Sequence, residues 1–150
     1  MLPKMCELAK QFPNFEFEIS GVSSVNKAFY NVAAMHGINV RFDAFYEILA
    51  ESKFAIVTSG TATLETAILN VPQIVVFETS WLTYAIARFF IKVKYISLVN
   101  LIADDHVVEE LIQKDFNVNQ LSLSLNSLIN ERETILQKYQ LIKEKIGTKN

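Results

Sequence analysis

Two apolar runs of strand length, FAIVT at residues 54–58 and QIVVF at 73–77, are separated by one short helical pattern, TATLETAIL at 61–69. Uninterrupted apolar runs mark strands buried on both faces, and such strands occur in parallel sheets. Parallel neighbours need a crossover between them, and the intervening helix supplies it. This unit predicts an α/β fold.

The flanking sequence extends the pattern. Residues 2–12 place Leu2, Met5, Leu8, Ala9 and Phe12 near helical spacing, and Pro13-Asn14 ends that run. FEFEI at 15–19 alternates as a strand does, with Phe15, Phe17 and Ile19 on one face. A helix is predicted over 23–35, with Ser23 or Ser24 as N-cap and Gly37 as C-cap. INVRF at 38–42 reads as a strand, and Asp43 as the cap of a helix over 44–52. Beyond the central unit, 81–93 reads as helical and YISL at 95–98 as a short strand or extended segment. Residues 106–113, 118–130 and 132–146 read as helices. Alternation of this kind predicts one domain over 1–150: a Rossmann-like parallel sheet with helices on both faces and a helical C-terminal tail.

At the end of the first apolar run stands TSGTAT, residues 58–63. In open parallel sheets, ligands bind beyond the carboxyl ends of the strands. A helix start there offers unpaired N–H groups and the positive end of a dipole, both suited to phosphate. Gly60 lets the backbone approach closely, and Thr58, Ser59, Thr61 and Thr63 supply hydroxyls. A P-loop would need Gly-Lys-Ser/Thr, and the dinucleotide fingerprint more than one glycine. The plain alternative is that Ser59 or Thr61 caps a helix. Glu65 points to more. A capping box needs Ser or Thr three residues earlier, and Ala62 stands there. A carboxylate one turn into this helix suits sugar hydroxyls, as in dinucleotide folds where an acid binds ribose. A solvated surface Glu is the other reading.

Composition narrows the function classes. Of 150 residues, 51% are hydrophobic and 20% charged, which allows a sizeable core. A net charge of -2 argues against a nucleic-acid binder. Cys6 stands alone, and the two histidines, His36 and His106, show no zinc-ligand spacing, so neither a disulfide nor a metal is expected. No run reaches the roughly 18 apolar residues of a membrane span. MLPKMCELAK has no signal-peptide core and reads like a helix cut into abruptly, as in a fragment of something longer.

SGTATLETAILNVPQIVVF and KVKYISLVNLIAD, separated by the aromatic, basic WLTYAIARFFI, together resemble the lipid-A-disaccharide synthases. These are B-type glycosyltransferases with two Rossmann-like domains facing a cleft, and the likeness is to the C-terminal, nucleotide-sugar-binding half. The resemblance implies that Ser59, Gly60, Thr61, Ala62, Thr63 and Glu65 hold the diphosphate and ribose of UDP, with Asn100 close to the diphosphate. The implied reaction transfers 2,3-diacylglucosamine from UDP-2,3-diacylglucosamine to 2,3-diacylglucosamine 1-phosphate. It yields lipid A disaccharide 1-phosphate and UDP, with no cofactor or metal expected. The general base and acceptor site would belong to an N-terminal half that these residues do not include, so catalytic residues are not assigned. The Gly-Ser-Arg loop that normally precedes LPKM is missing as well. The resemblance places Gly or Asp followed by a basic residue after Ala103 in many relatives, where this chain has Asp104-Asp105, and a basic residue in some relatives at Glu78.

From Thr79 to Ala103 there is no acid, while Arg88, Lys92 and Lys94 interleave with Trp81, Tyr84, Phe89, Phe90 and Tyr95. This reads either as a core-facing helix with snorkelling cations, or as a contact for acyl chains, an anionic membrane surface or a partner subunit. A cytoplasmic protein with peripheral contact at the inner membrane is the expectation, and so is a homo-oligomer. Two rival readings stay open: another UDP-sugar-binding B-type glycosyltransferase or epimerase, and a non-catalytic nucleotide-binding or oligomerisation module.

Overall fold

The computed structural model describes residues 1–80, 83–85 and 94–147. The predicted crossover unit is present. Strand β3 (Ala55–Thr58), helix α4 (Thr61–Ile68) and strand β4 (Gln73–Phe77) follow in order, with β3 and β4 parallel and Ala55 opposite Gln73. β4 is central, flanked by β3 and by β5 (Glu109–Ile112), again in parallel. Its side chains from Gln73 to Val76 are shut off from solvent, as a strand covered on both faces requires. Successive side chains point to opposite faces. Gln73 meets Thr63 of α4 and Tyr139 of the last helix, α7 (Arg132–Gly147). The next residue, Ile74, lines a cleft with Ser124 and Leu128 of α6 (Val118–Asn130). Helices therefore cover both faces. The buried residues of α6 (Leu121, Leu125, Leu128) and of α7 (Ile135, Tyr139, Ile142) each follow helical spacing, so these helices were legible in the sequence.

The remaining strands form a separate sheet. β1 (Glu18–Gly21) pairs in parallel with β2 (Asn39–Phe42), following α1 (Leu2–Ala9) and joined through a 3₁₀ turn (Lys27–Tyr30) and α2 (Asn31–Met35). The expected single sheet is thus split in two, β1-β2 and β3-β4-β5. The halves lie side by side. Phe15, ahead of β1, packs its ring on Phe54, ahead of β3, at 6.1 Å, and Met5 and Phe17 belong to both cores. Among the described residues no ladder joins the two sheets. Ala55 and Ile56 are consequently only half-buried, although their sequence is that of a strand covered on both sides.

Several local expectations are corrected. β1 starts at Glu18 rather than Phe15. Ser23 and Ser24 cap nothing: Asn26 Oδ1 accepts from Ala28 N at 2.9 Å and starts the 3₁₀ turn. Asp43 does not cap α3 (Phe45–Glu51); at φ 55 it turns its carboxylate back to Ser23 N, 3.1 Å away. YISL forms no strand, because Ser97 caps α5 (Leu98–Ala103). The helix expected over 106–113 is strand β5. Val107, Val108, Leu111 and Ile112 follow helical spacing, and the open edge of β4 overrides it in favour of the strand. Gly37 does end α2: at φ +68, Gly37 N reaches Ala34 O and Ile38 N reaches Ala33 O, closing the helix as a left-handed cap does. Of the stretch expected to be helical over 81–93, residues 83–85 are helical and the remainder lies outside the described residues.

Candidate functional site

The loop after β3 is built by the backbone. Ser59 N still reaches Val76 O at 3.1 Å, prolonging the pairing with β4 by one residue. Gly60 then turns at φ 142 and ψ -165, a conformation open to glycine, and stands as N-cap of α4 with no side-chain cap bond. The capping alternative for Ser59 or Thr61 is therefore not the one adopted. Thr61 and Gly60 are exposed, and Ser59 and Ala62 are half-buried. Thr63 differs from its neighbours. It is fully buried, its hydroxyl donates to Gly60 O at 2.8 Å, and its carbonyl accepts from Gln73. Its hydroxyl faces the fold, so the polar groups this stretch offers to solvent come from Thr58, Ser59, Thr61 and the backbone.

Ser59 Oγ donates to the carbonyl of Ile96 at 3.1 Å. This bond brings the first motif against the second. The segment 96–100 is itself held by Glu110, on β5. Its carboxylate accepts from Ile96 N (2.9 Å), Ser97 N (3.0 Å), Ser97 Oγ (2.7 Å) and Asn100 Nδ2 (2.9 Å). Asn100 is completely buried. Its Nδ2 also donates to Val108 O, and its Oδ1 accepts from Val107 N and Val108 N. Both amide hydrogens and both oxygen lone pairs are engaged, so the side chain organises this corner and has nothing left for a ligand. Glu110 was not singled out by sequence reasoning. The available signal was an acid inside the apolar run VVEELI, where an unpaired carboxylate would be costly.

Glu65, half-buried on the second turn of α4, accepts from the hydroxyl of Tyr46 at 3.1 Å. Tyr46 lies in the first turn of α3, with its ring edge-on to Phe45 at 5.3 Å. The Glu65 carboxylate raises the Tyr46 pKa, first through the hydrogen bond and then through its charge. No sequence motif announced Tyr46.

Other singled-out residues have internal partners. Glu78 accepts from Lys4 at 2.6 Å, and Lys4 also reaches Phe116 O and lies over the Phe116 ring. The Lys4–Glu78 pair ties α1 to the residue that follows β4. Asp105 pairs with Lys138 at 2.9 Å, and Asp104 sits at φ 52 as the left-handed C-cap of α5. His106 faces Glu109 at 3.3 Å ahead of β5 rather than starting a helix, and His36 Nδ1 lies 2.9 Å from Val32 O. Burial pushes the Cys6 thiol up, away from reactivity. Among the described residues, no cluster of three or more His, Cys, Asp and Glu could hold a metal ion, and no helix is long and apolar enough to cross a membrane. Clefts of about 300 and 270 Å³ lie at the opposite, amino-terminal ends of the strands.

The profile of the lipid-A-disaccharide synthetase family matches residues 1–150 in full. The chain belongs to that family. A lipid-A-disaccharide synthase of Nitrosococcus oceani is 32% identical over 157 aligned residues, covering 98% of this chain and 41% of the relative. The synthase of Anaeromyxobacter dehalogenans is 31% identical over 88% of this chain and 37% of its own length. That of Syntrophus aciditrophicus is 36% identical over 74% of this chain and 30% of its own. The resemblance carried by SGTATLETAIL and YISLVNLIAD is thereby established at the level of the family. The chain spans about two fifths of the length of the first two relatives.

Proposed function

We propose that this chain supplies the donor-binding side of a lipid A-forming glycosyltransferase. In that reaction 2,3-diacylglucosamine passes from UDP to the 6-hydroxyl of 2,3-diacylglucosamine 1-phosphate. The observation that carries this reading is the meeting of the two family motifs, through Ser59 and Ile96, beside the start of α4 and Glu65. The exposed turn at Gly60 and Thr61 would face the diphosphate. The first-turn N–H groups of α4 and the positive end of its dipole stabilise negative charge, and that charge grows as UDP leaves. Glu65 would accept from the ribose hydroxyls. Asn100 and Glu110 serve the site by holding the 96–100 segment against Ser59 and not by touching the ligand. The acceptor hydroxyl and the base that deprotonates it lie with the remaining part of the enzyme.

Titration with UDP, followed by amide chemical shifts, tests the reading. Shifts centred on residues 60–65 are expected. Glu65→Gln keeps the shape and loses the charge, so UDP affinity should fall about tenfold, or about 1.4 kcal/mol. Unchanged affinity would remove Glu65 from the site. The split sheet favours a second role for the isolated chain, as an assembly module whose open strand edges await a partner.

A further inference from the structure

Tyr46 and Glu65 stand on helices that start at the carboxyl ends of different sheets. α3 follows β2, and α4 follows β3. Their 3.1 Å hydrogen bond therefore spans the seam between the sheets on the side where the ligand is placed. Tyr46 is 58% exposed, yet its hydroxyl is turned to this carboxylate. A glutamate on a helix surface samples several rotamers in water, and fixing it before the ligand arrives removes part of the ordering cost of binding. A tyrosine does this well, because its ring is rigid and only two torsions need to be held. Packing against Phe45 steadies the ring.

Building on the assignment of Glu65 to ribose, we propose that Tyr46 is a positioning residue of the nucleotide site. Its hydroxyl holds Oε1 of Glu65 so that the carboxylate's remaining lone pairs meet the vicinal ribose hydroxyls. The phenol keeps its proton at neutral pH, because the neighbouring carboxylate opposes its ionisation, and it remains a donor. Sugar recognition would then draw on both sheets, with α3 setting the orientation and α4 making the contact.

The test is a double-mutant cycle read by titration with UDP, uridine and inorganic pyrophosphate. Tyr46→Phe deletes one exposed hydroxyl and should leave the fold intact, which amide spectra can verify. It should weaken UDP and uridine by about three- to tenfold, the usual range for one hydrogen bond, and leave pyrophosphate unchanged. Adding Tyr46→Phe to Glu65→Gln should cost less than about twofold more, because the two residues act as one unit. Wild-type affinity in Tyr46→Phe alongside a weakened Glu65→Gln would overturn the role of Tyr46 and leave that of Glu65 standing. Losses that multiply, or an equal loss for pyrophosphate, would also overturn it. Failure of the wild type to bind UDP, or wild-type affinity in Glu65→Gln, would overturn the site assignment and this proposal together.

Discussion

Ser59 donates its hydroxyl hydrogen to the carbonyl of Ile96, 37 residues later in the chain, and so pins the loop after β3 to the turn before α5. Replacing Ser59 with Ala removes one neutral hydrogen bond, worth about 0.5–1.5 kcal/mol. The urea midpoint should fall accordingly. UDP-induced shifts should weaken further than Thr61→Ala makes them, because Thr61 anchors nothing across the loop.

Gly60 tests the backbone itself. A Cβ there would meet no atom within 4 Å, so there is no steric obstacle. The φ of +142 is the obstacle, since L side chains rarely adopt it. Gly60→Ala should cost about 1–3 kcal/mol in chemical denaturation, from strain alone. A neutral result would show that the loop relaxes into another conformation.

Asn100 should be among the least replaceable residues. Asn100→Ala strands the Val107 and Val108 N–H groups, Val108 O and part of Glu110 in a closed space, and a loss of about 3 kcal/mol or more is expected. Asn100→Asp is more diagnostic. It places a second carboxylate within hydrogen-bonding distance of Glu110, which disfavours ionisation of the pair. A proton shared between the two carboxylates relieves that repulsion, so the folded variant favours the protonated form. The variant should therefore gain stability relative to wild type as pH falls and lose it as pH rises. A pH-independent difference in urea stability would contradict this arrangement.

Tyr139 supplies an alkaline counterpart. Burial pushes its phenol pKa far above the ordinary value, against a smaller opposing effect from Gln73. The unfolded chain, titrating near the usual value of about 10, releases this proton first. Stability contributed by the neutral phenol is thus present below about pH 10 and lost as pH rises beyond it. Tyr139→Phe should flatten the alkaline limb of the stability profile. An unchanged slope would show that Tyr139 remains protonated in both states over that range.

The edge strands β1, β2, β3 and β5 each lack a ladder partner on one side among the described residues. Open edges of apolar strands recruit other strands. The chain should therefore self-associate at micromolar concentration. Sedimentation velocity showing a single monomeric boundary there would count against it.

What the sequence determined by itself was local. The two apolar runs, the crossover between them, the turn at Gly60, the left-handed cap at Gly37 and the last two helices all follow from periodicity and backbone freedom within a dozen residues. Tertiary structure decided whatever depends on a neighbour distant in sequence. EELI, within VVEELI, became a strand because β4 offered an edge, although the apolar spacing of the run suits a helix. Asn100 became a structural amide because Glu110 and the chain at 107–108 enclose it, and no local signal records that enclosure. Thr63 turned inward while Thr61 stayed exposed, since two residues along a helix turn through about 200°, which puts two like hydroxyls on opposite sides. Tyr46 meets Glu65 because two helices that are separate in sequence start side by side at the strand ends. A side chain's type states which hydrogen bonds it is able to make, and only the packing of the chain selects the partner that satisfies them.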